Sequence, residues 1–323
     1  MTDYKKHHPI DSSVVSRFCG VRSFMRLPQL QTTEDADFAI IGAPADTGST
    51  FRTGSRFAPA AIREMSMMLR AASVNLDINI FQYVSGVDFG DINVSPCNLA
   101  RAHEAIEEGI KPILDGGAIS ICLGGDHSIT LPELRAVAKE HGPVALVQFD
   151  AHLDTYDIEN GDTLTHGTPF KIAVDEGLID TTHSIQIGTR GLFDMSAIKT
   201  SEDLGFQVIT AEQVHKLGLD RVGQIINGRV GNKKAFLTFD IDFVDPAYAP
   251  GTGTIEVGGF TSYESLYLLR QTKGINYVAC DVVEVIPAFD PTQITAYMAG
   301  CVVHEFIAML ACRKKREFEA QNS

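Results

Sequence analysis

The chain has 323 residues and a mass of 35.1 kDa, with 44% hydrophobic and 21% charged residues, an ordinary composition for a globular protein with a large core. Its formal net charge of -14 and pI near 5.1 argue against a nucleic-acid partner, because no basic excess is available to neutralise phosphates. Six cysteines (Cys19, Cys97, Cys122, Cys280, Cys301 and Cys312) are scattered without a CxxC pair, which favours free thiols in a reducing compartment.

From the N-terminus, no apolar h-region follows the opening polar residues, and no uninterrupted apolar run approaches the roughly 20 residues of a membrane span. With the free thiols, this leads us to expect a cytoplasmic protein without a membrane partner. Residues 1–35 are polar and irregular, and read as an arm packed on the domain surface. Residues 38–41 form a short apolar strand ending in Gly42-Ala-Pro-Ala-Asp46. Pro59 then lies in the first turn of a helix, where its missing N–H costs little. A strand falls within residues 83–91, a helix at 98–114 and a strand at 119–123. Gly124-Gly-Asp-His127-Ser follows, leading into a helix that covers 132–141. Further strands are expected at 144–149, 185–188, 235–239 and 277–283, and a last helix from about 292 to 312. Short apolar strands alternating with helices predict an α/β fold with a mostly parallel sheet covered on both faces. No composition break or repeat divides the chain, so one domain (36–315) is expected between the arm and a polar tail at 316–323.

His127, Asp150, His152, Asp154, Asp240, Asp242 and Glu284 all fall at or just past the C-terminal ends of these strands. In open parallel sheets that edge carries the ligand crevice. In Asp150-Ala-His-Leu-Asp154, strand alternation would turn Asp150, His152 and Asp154 to one side, and Asp240 and Asp242 have the same spacing. Each stretch alone also admits the reading of an exposed acidic strand end, the Asp240/Asp242 pair more readily than the first. Together they supply two imidazoles and four carboxylates, more than one ion usually takes from a protein. The set suits two ions with bridging carboxylates, and hard oxygens with no thiolate favour Mn²⁺, with Ni²⁺ or Co²⁺ as alternatives. Such a pair lowers the pKa of a shared water, so hydrolysis is the implied reaction class.

Four stretches, Gly124-Gly-Asp-His127-Ser, Asp150-Ala-His-Leu-Asp154, His166-Gly-Thr-Pro-Phe170 and Thr238-Phe-Asp-Ile-Asp242, resemble the signature set of the arginase/agmatinase (ureohydrolase) family. The likeness runs from Gly42 to Glu284. It implies a three-layer α/β/α domain, two Mn²⁺ ions and hydrolysis of a guanidino compound to urea and an amine. One ion would take His127, Asp150, Asp154 and Asp240, and the other His152, Asp150, Asp240 and Asp242. By the same resemblance Glu284 pairs with the guanidinium in fork geometry, Asp154 relays a proton to the departing amine, and His166 exchanges protons with solvent. Outside this context His166 is an ordinary loop histidine and Glu284 a strand end. The family commonly forms trimers or hexamers, so a homo-oligomer is expected.

The loop at 155–165 differs from that of arginases, with Tyr156 and Leu164 where asparagine is usual. Asp157, Glu159 and Asp162 would make a negative mouth, suited to a small cationic substrate such as agmatine, which gives putrescine. These acidic residues also read as a merely solvated loop. Guanidinobutyrate, guanidinopropionate and proclavaminate-type guanidino acids are the alternatives, since relatives acting on them share the 23–28 arm motif. A silent metal-binding subunit and a formimino hydrolase are the readings of other classes. Two departures from the family pattern, Ile255 for proline and Ala58 for glycine, border the expected site.

Overall fold

The computed structural model describes residues 5–157, 164–191 and 195–321. Among them ten strands follow in order: β1 (Phe38–Gly42), β2 (Ala72–Ser73), β3 (Ile78–Asn79), β4 (Gly86–Asp91), β5 (Ile119–Leu123), β6 (Ala145–Phe149), β7 (Ile185–Ile187), β8 (Gln207–Ile209), β9 (Lys234–Asp240) and β10 (Asn276–Val283). The α-helices are α1 (Ala58–Ser66), α2 (Leu99–Asp115), α3 (Thr130–His141), α4 (Pro169–Asp175), α5 (Met195–Asp203), α6 (Ala211–Leu217), α7 (Leu219–Val230), α8 (Ser262–Gln271) and α9 (Ile294–Gln321). The short antiparallel pair β2–β3 and the three-residue β8 were not anticipated, because such brief strands carry no usable alternation.

Eight strands form one sheet in the order β4-β1-β5-β10-β9-β6-β7-β8, every neighbouring pair parallel. Parallel neighbours need crossovers, and the helices that supply them cover both faces. Alternation along each strand then feeds two separate cores. Ile40, Ile121, Val147 and Leu237 enter one; Ile41, Cys122, Leu146 and Phe236 enter the other. The result is the expected three-layer α/β/α domain with a mostly parallel central sheet. All six cysteines are free, with Cys122 and Cys280 buried.

Two boundaries differ from expectation. The arm does not simply lie on the surface: Phe24, Met25 and Leu27 are buried in the core. Asp88 accepts the Phe24 N–H at 2.7 Å, and Ser66 Oγ accepts that of Met25 at 2.8 Å, so the inserted backbone is satisfied. At the other end α9 runs on to Gln321, and the polar residues at 316–321 are its exposed last turns. By length and composition α9 could cross a membrane, but 78% of its most apolar window is buried inside the fold, as in a core helix.

The four central strands, β5, β10, β9 and β6, are consecutive neighbours. Their C-terminal ends deliver His127, Glu284, Asp240 with Asp242, and Asp150 through Asp154 to one rim.

Candidate active site

Sequence proximity alone does not bring the ligands together. Strand β6 stops at Phe149, and Asp150 to Asp154 form a loop in which Asp154 has φ +50°. The expected strand alternation is therefore absent, and hydrogen bonds do the gathering instead. Asp150 Oδ1 accepts the His152 N–H at 2.6 Å, and Gln148 Nε2 donates to Asp150 Oδ2 at 2.7 Å. Asp240 closes β9 and caps a 3-10 turn at Ile241–Phe243, its Oδ1 accepting the Asp242 N–H at 2.8 Å. Asp242 Oδ1 in turn accepts the Ala151 N–H at 3.0 Å, tying the two loops together. His127 opens another 3-10 turn, which Asp126 caps through the Ser128 N–H.

Around His127 Nδ1 lie Asp154 Oδ2 at 2.9 Å, Asp150 Oδ2 at 3.1 Å and Asp240 Oδ2 at 3.3 Å. His152 Nδ1 lies 2.9 Å from Asp242 Oδ2 and 3.6 Å from Asp150 Oδ1. Two groups, His127/Asp150/Asp240 and Asp150/His152/Asp242, each hold their donor atoms within 4.8 Å of one another and share Asp150. All six predicted ligands thus meet in one place.

The donor set suits cations. One nitrogen has a single proton to offer three carboxylate oxygens, and His127 Nδ1 makes no well-formed hydrogen bond to any of them. Its other nitrogen, Nε2, is 2.8 Å from Thr238 Oγ1, which leaves Nδ1 free to act as a ligand. Asp242 Oδ2 is likewise buried without a hydrogen-bond partner. Burial and the charges of Asp242 and Asp150 push Asp240 well above the usual carboxylate range. Burial and Asp150 also raise Asp154. Burial opposes ionisation of Asp150 too, but His127 and His152 hold its carboxyl well below that range. Divalent ions at the two groups would relieve this repulsion.

Glu284 directly follows β10 with φ +64°, a left-handed conformation that costs a non-glycine residue roughly 1–3 kcal/mol. Its buried Oε1 accepts the His127 N–H at 2.9 Å and lies 2.9 Å from His166 Nδ1. Burial opposes a charge on His166, but Glu284 outweighs it and pushes the imidazole up to about 9. The other oxygen of this carboxylate, Glu284 Oε2, is buried without a hydrogen-bond partner. Oε2 is therefore the Glu284 oxygen open to a guanidinium N–H, while Oε1 is held by His127 and His166.

A cleft of about 410 Å³ leads to His152, Asp154 and Asp240 past Tyr156, Asp157 and His166. Burial pushes the Tyr156 phenol up to about 12. Glu159 and Asp162, expected at this mouth, lie outside the described residues. Thr254 lines the cleft, whereas its neighbour Ile255 is 44% exposed and Ala58 is buried at the start of α1. Sequence reasoning assigned no role to Gln148, Thr238, Asp126 or Thr50. Thr238 and Asp126 stand inside the quoted motifs, which was the available signal.

The pattern describing the arginase family matches residues 36–309, the span that holds both the sheet and this rim. The chain belongs to the arginase family. It is similar to the mitochondrial agmatinase of Gallus gallus, 41% identical over 303 residues, 94% of this chain and 89% of that one. It is equally similar to the mitochondrial guanidino acid hydrolase of Homo sapiens, 41% over 310 residues, 96% and 88% of the two chains. Among solved structures, the proclavaminate amidino hydrolase from Streptomyces clavuligerus matches with a TM-score of 0.86 at 38% identity, over 91% of this chain and 98% of that one. As a member of the arginase family the chain is a metal-dependent amidinohydrolase. These relatives overturn the cytoplasmic location expected from the sequence, because both animal proteins are named as mitochondrial. Free thiols report a reducing environment and do not single out the cytoplasm.

Proposed function

We propose that this arginase-family chain hydrolyses agmatine to urea and putrescine with two Mn²⁺ ions. The observation that supports the amine-tailed substrate is the cleft mouth. Asp157 stands there exposed, and no lysine or arginine is among the described lining residues. A carboxylate tail would be repelled by Asp157, whereas an ammonium tail pairs with it.

His127, Asp150, Asp154 and Asp240 would hold one ion, and His152, Asp150, Asp240 and Asp242 the other. When bound, two such ions would supply a hydroxide nucleophile near neutral pH by lowering the pKa of water. Glu284 Oε2, buried and unpartnered, takes a guanidinium N–H and orients the substrate. Asp154, buried at the base of the cleft, holds the proton destined for the leaving amine. His166, beside Glu284 and at the cleft wall, exchanges protons with solvent. Exposed apolar side chains in the arm (Val14, Phe18 and Val21) support self-association into a homo-oligomer.

The test is urea release by the Mn²⁺-loaded protein from agmatine, 4-guanidinobutyrate, 3-guanidinopropionate and L-arginine. Preference for agmatine, with KM raised in Asp157→Asn, is the expected result. Preference for a guanidino acid would move the chain to the activity named for its human relative. No urea from any of them would remove the guanidino reading altogether.

A further inference from the structure

Residues 46–56 form a loop whose shape is set at both ends by buried carboxylates. Asp46 accepts the Gly54 N–H at 2.7 Å and pairs with the Arg56 guanidinium. Asp126, fully buried, accepts the Gly48 N–H at 2.7 Å. A Cβ on Gly48 would meet Ser128 Oγ at 2.7 Å, so only glycine permits this approach. Gly48 O accepts the His166 N–H at 2.9 Å, which locks the loop to the backbone of that histidine. The side chain of Thr50 takes no part in these anchors, yet they place it against the imidazole. Thr50 N is 3.2 Å and Thr50 Oγ1 is 2.7 Å from His166 Nε2.

A backbone N–H can only donate, so in the neutral ring Nε2 is the bare, accepting nitrogen. An ionised carboxylate can only accept, so Nδ1, 2.9 Å from Glu284 Oε1, carries the hydrogen. Two separate contacts thus select the same tautomer. In the protonated ring the added hydrogen sits on Nε2, and Thr50 Oγ1 is in place to accept it. Threonine serves both charge states here, with its N–H for one and its hydroxyl oxygen for the other. The His166 side chain is only 12% exposed, whereas Thr50 is exposed at the cleft rim.

We propose that Thr50 positions His166 and completes its route to solvent: Nδ1 keeps its proton on Glu284 throughout, and every exchanged proton passes between Nε2 and water through the Thr50 hydroxyl. In the outward step the Nε2–H bond breaks and its proton bonds to Oγ1. The hydrogen already on Oγ1 leaves to a bulk water, and Thr50 ends as it began. The inward step reverses this. The inference rests on the proposed role of His166 as proton carrier, and its test separates the two.

The isosteric Thr50→Val keeps the N–H and removes the hydroxyl, while Thr50→Ser keeps both. In full-length protein labelled with nitrogen-15 histidine and loaded with diamagnetic Zn²⁺, we expect His166 Nδ1 to remain protonated as pH rises while Nε2 loses its hydrogen. That pattern should persist in Thr50→Val. With Mn²⁺, kcat of Thr50→Val should fall about tenfold. Its KM should stay within about twofold and its metal content unchanged. Concentrated small buffers should restore its rate, and Thr50→Ser should match wild type. A neutral ring protonated on Nε2, or a wild-type kcat in Thr50→Val, would overturn the proposal. His166→Asn identifies which reading has failed. Undiminished turnover there removes the proton-carrier role itself, whereas a large loss beside a fully active Thr50→Val removes only the Thr50 route.

Discussion

The backbone N–H of His127 donates to Glu284 Oε1 at 2.9 Å, so the first histidine of the metal cluster and the carboxylate assigned to the guanidinium are one hydrogen bond apart. The bond links the ends of the adjacent strands β5 and β10. It also means that Glu284 can lose its charge without leaving the His127 amide unpaired, provided an oxygen remains.

Glu284→Gln retains that oxygen and removes the charge facing the guanidinium. A hydrogen bond to a charged group contributes about 1.5–3 kcal/mol, so KM for agmatine should rise roughly tenfold to a hundredfold. Metal content, read by elemental analysis, should stay at the wild-type value. Ions lost with the carboxylate would place Glu284 among the ligands.

Asp150 belongs to both donor groups. Asp150→Ala should therefore release both ions together, with turnover lowered by more than about a thousandfold. Removing the ions from the wild-type protein with a chelator should lower Tm, because the carboxylates around His127 then repel without compensation. Mn²⁺ should restore it. Equal Tm with and without metal would contradict the assigned cluster.

His103 on α2 is buried, with Nε2 3.3 Å from Ser128 Oγ and Nδ1 unpartnered. Burial, helped by the Arg135 charge, pushes it down to about 4. The unfolded chain binds this proton near pH 6.5 and the folded chain only near 4, so stability falls as pH drops through that window. The loss reaches about 2 kcal/mol by about pH 5. Urea unfolding at about pH 7.5 and about pH 5 should show His103→Gln losing less stability than wild type by that amount. Parallel losses in the two proteins would mean that His103 titrates normally.

Arg270 on α8 and Glu305 on α9 form a buried pair at 2.6 Å. Removing one partner strands a charge in the core, so Arg270→Met should cost about 3–5 kcal/mol of unfolding free energy. The double variant Arg270→Met/Glu305→Leu should recover most of it. If the double variant is as unstable as the single one, packing rather than the stranded charge explains the loss.

The layered fold was readable because strands buried on both faces appear as short apolar runs, and residues 119–123 and 277–283 fall inside such strands. The six candidate ligands could be picked out because their residue types collect at strand ends. How they meet could not be read. Alternation through Asp150, His152 and Asp154 fails because β6 ends at Phe149, and the joining hydrogen bonds, such as Ala151 N–H to Asp242, span distant sequence. The place of Thr50 was hidden for the same reason, since carboxylates at positions 46 and 126 determine it. The arm was misjudged because Phe24 and Leu27 stand in an otherwise polar stretch, where no periodicity marks their burial.

The four strands that end at the metal rim are interior to the sheet, each flanked on both sides by another strand. None can slide without breaking two ladders and shifting its side chains in both cores. The ends of these strands therefore hold the ion seat in a fixed register. The loop at 46–56 is fastened to this rim, through Gly48 N–H on Asp126 and the His166 N–H on Gly48 O. A substitution at the cleft mouth, such as at Asp157, can therefore change what a substrate's tail meets while the ion seat beneath keeps its dimensions.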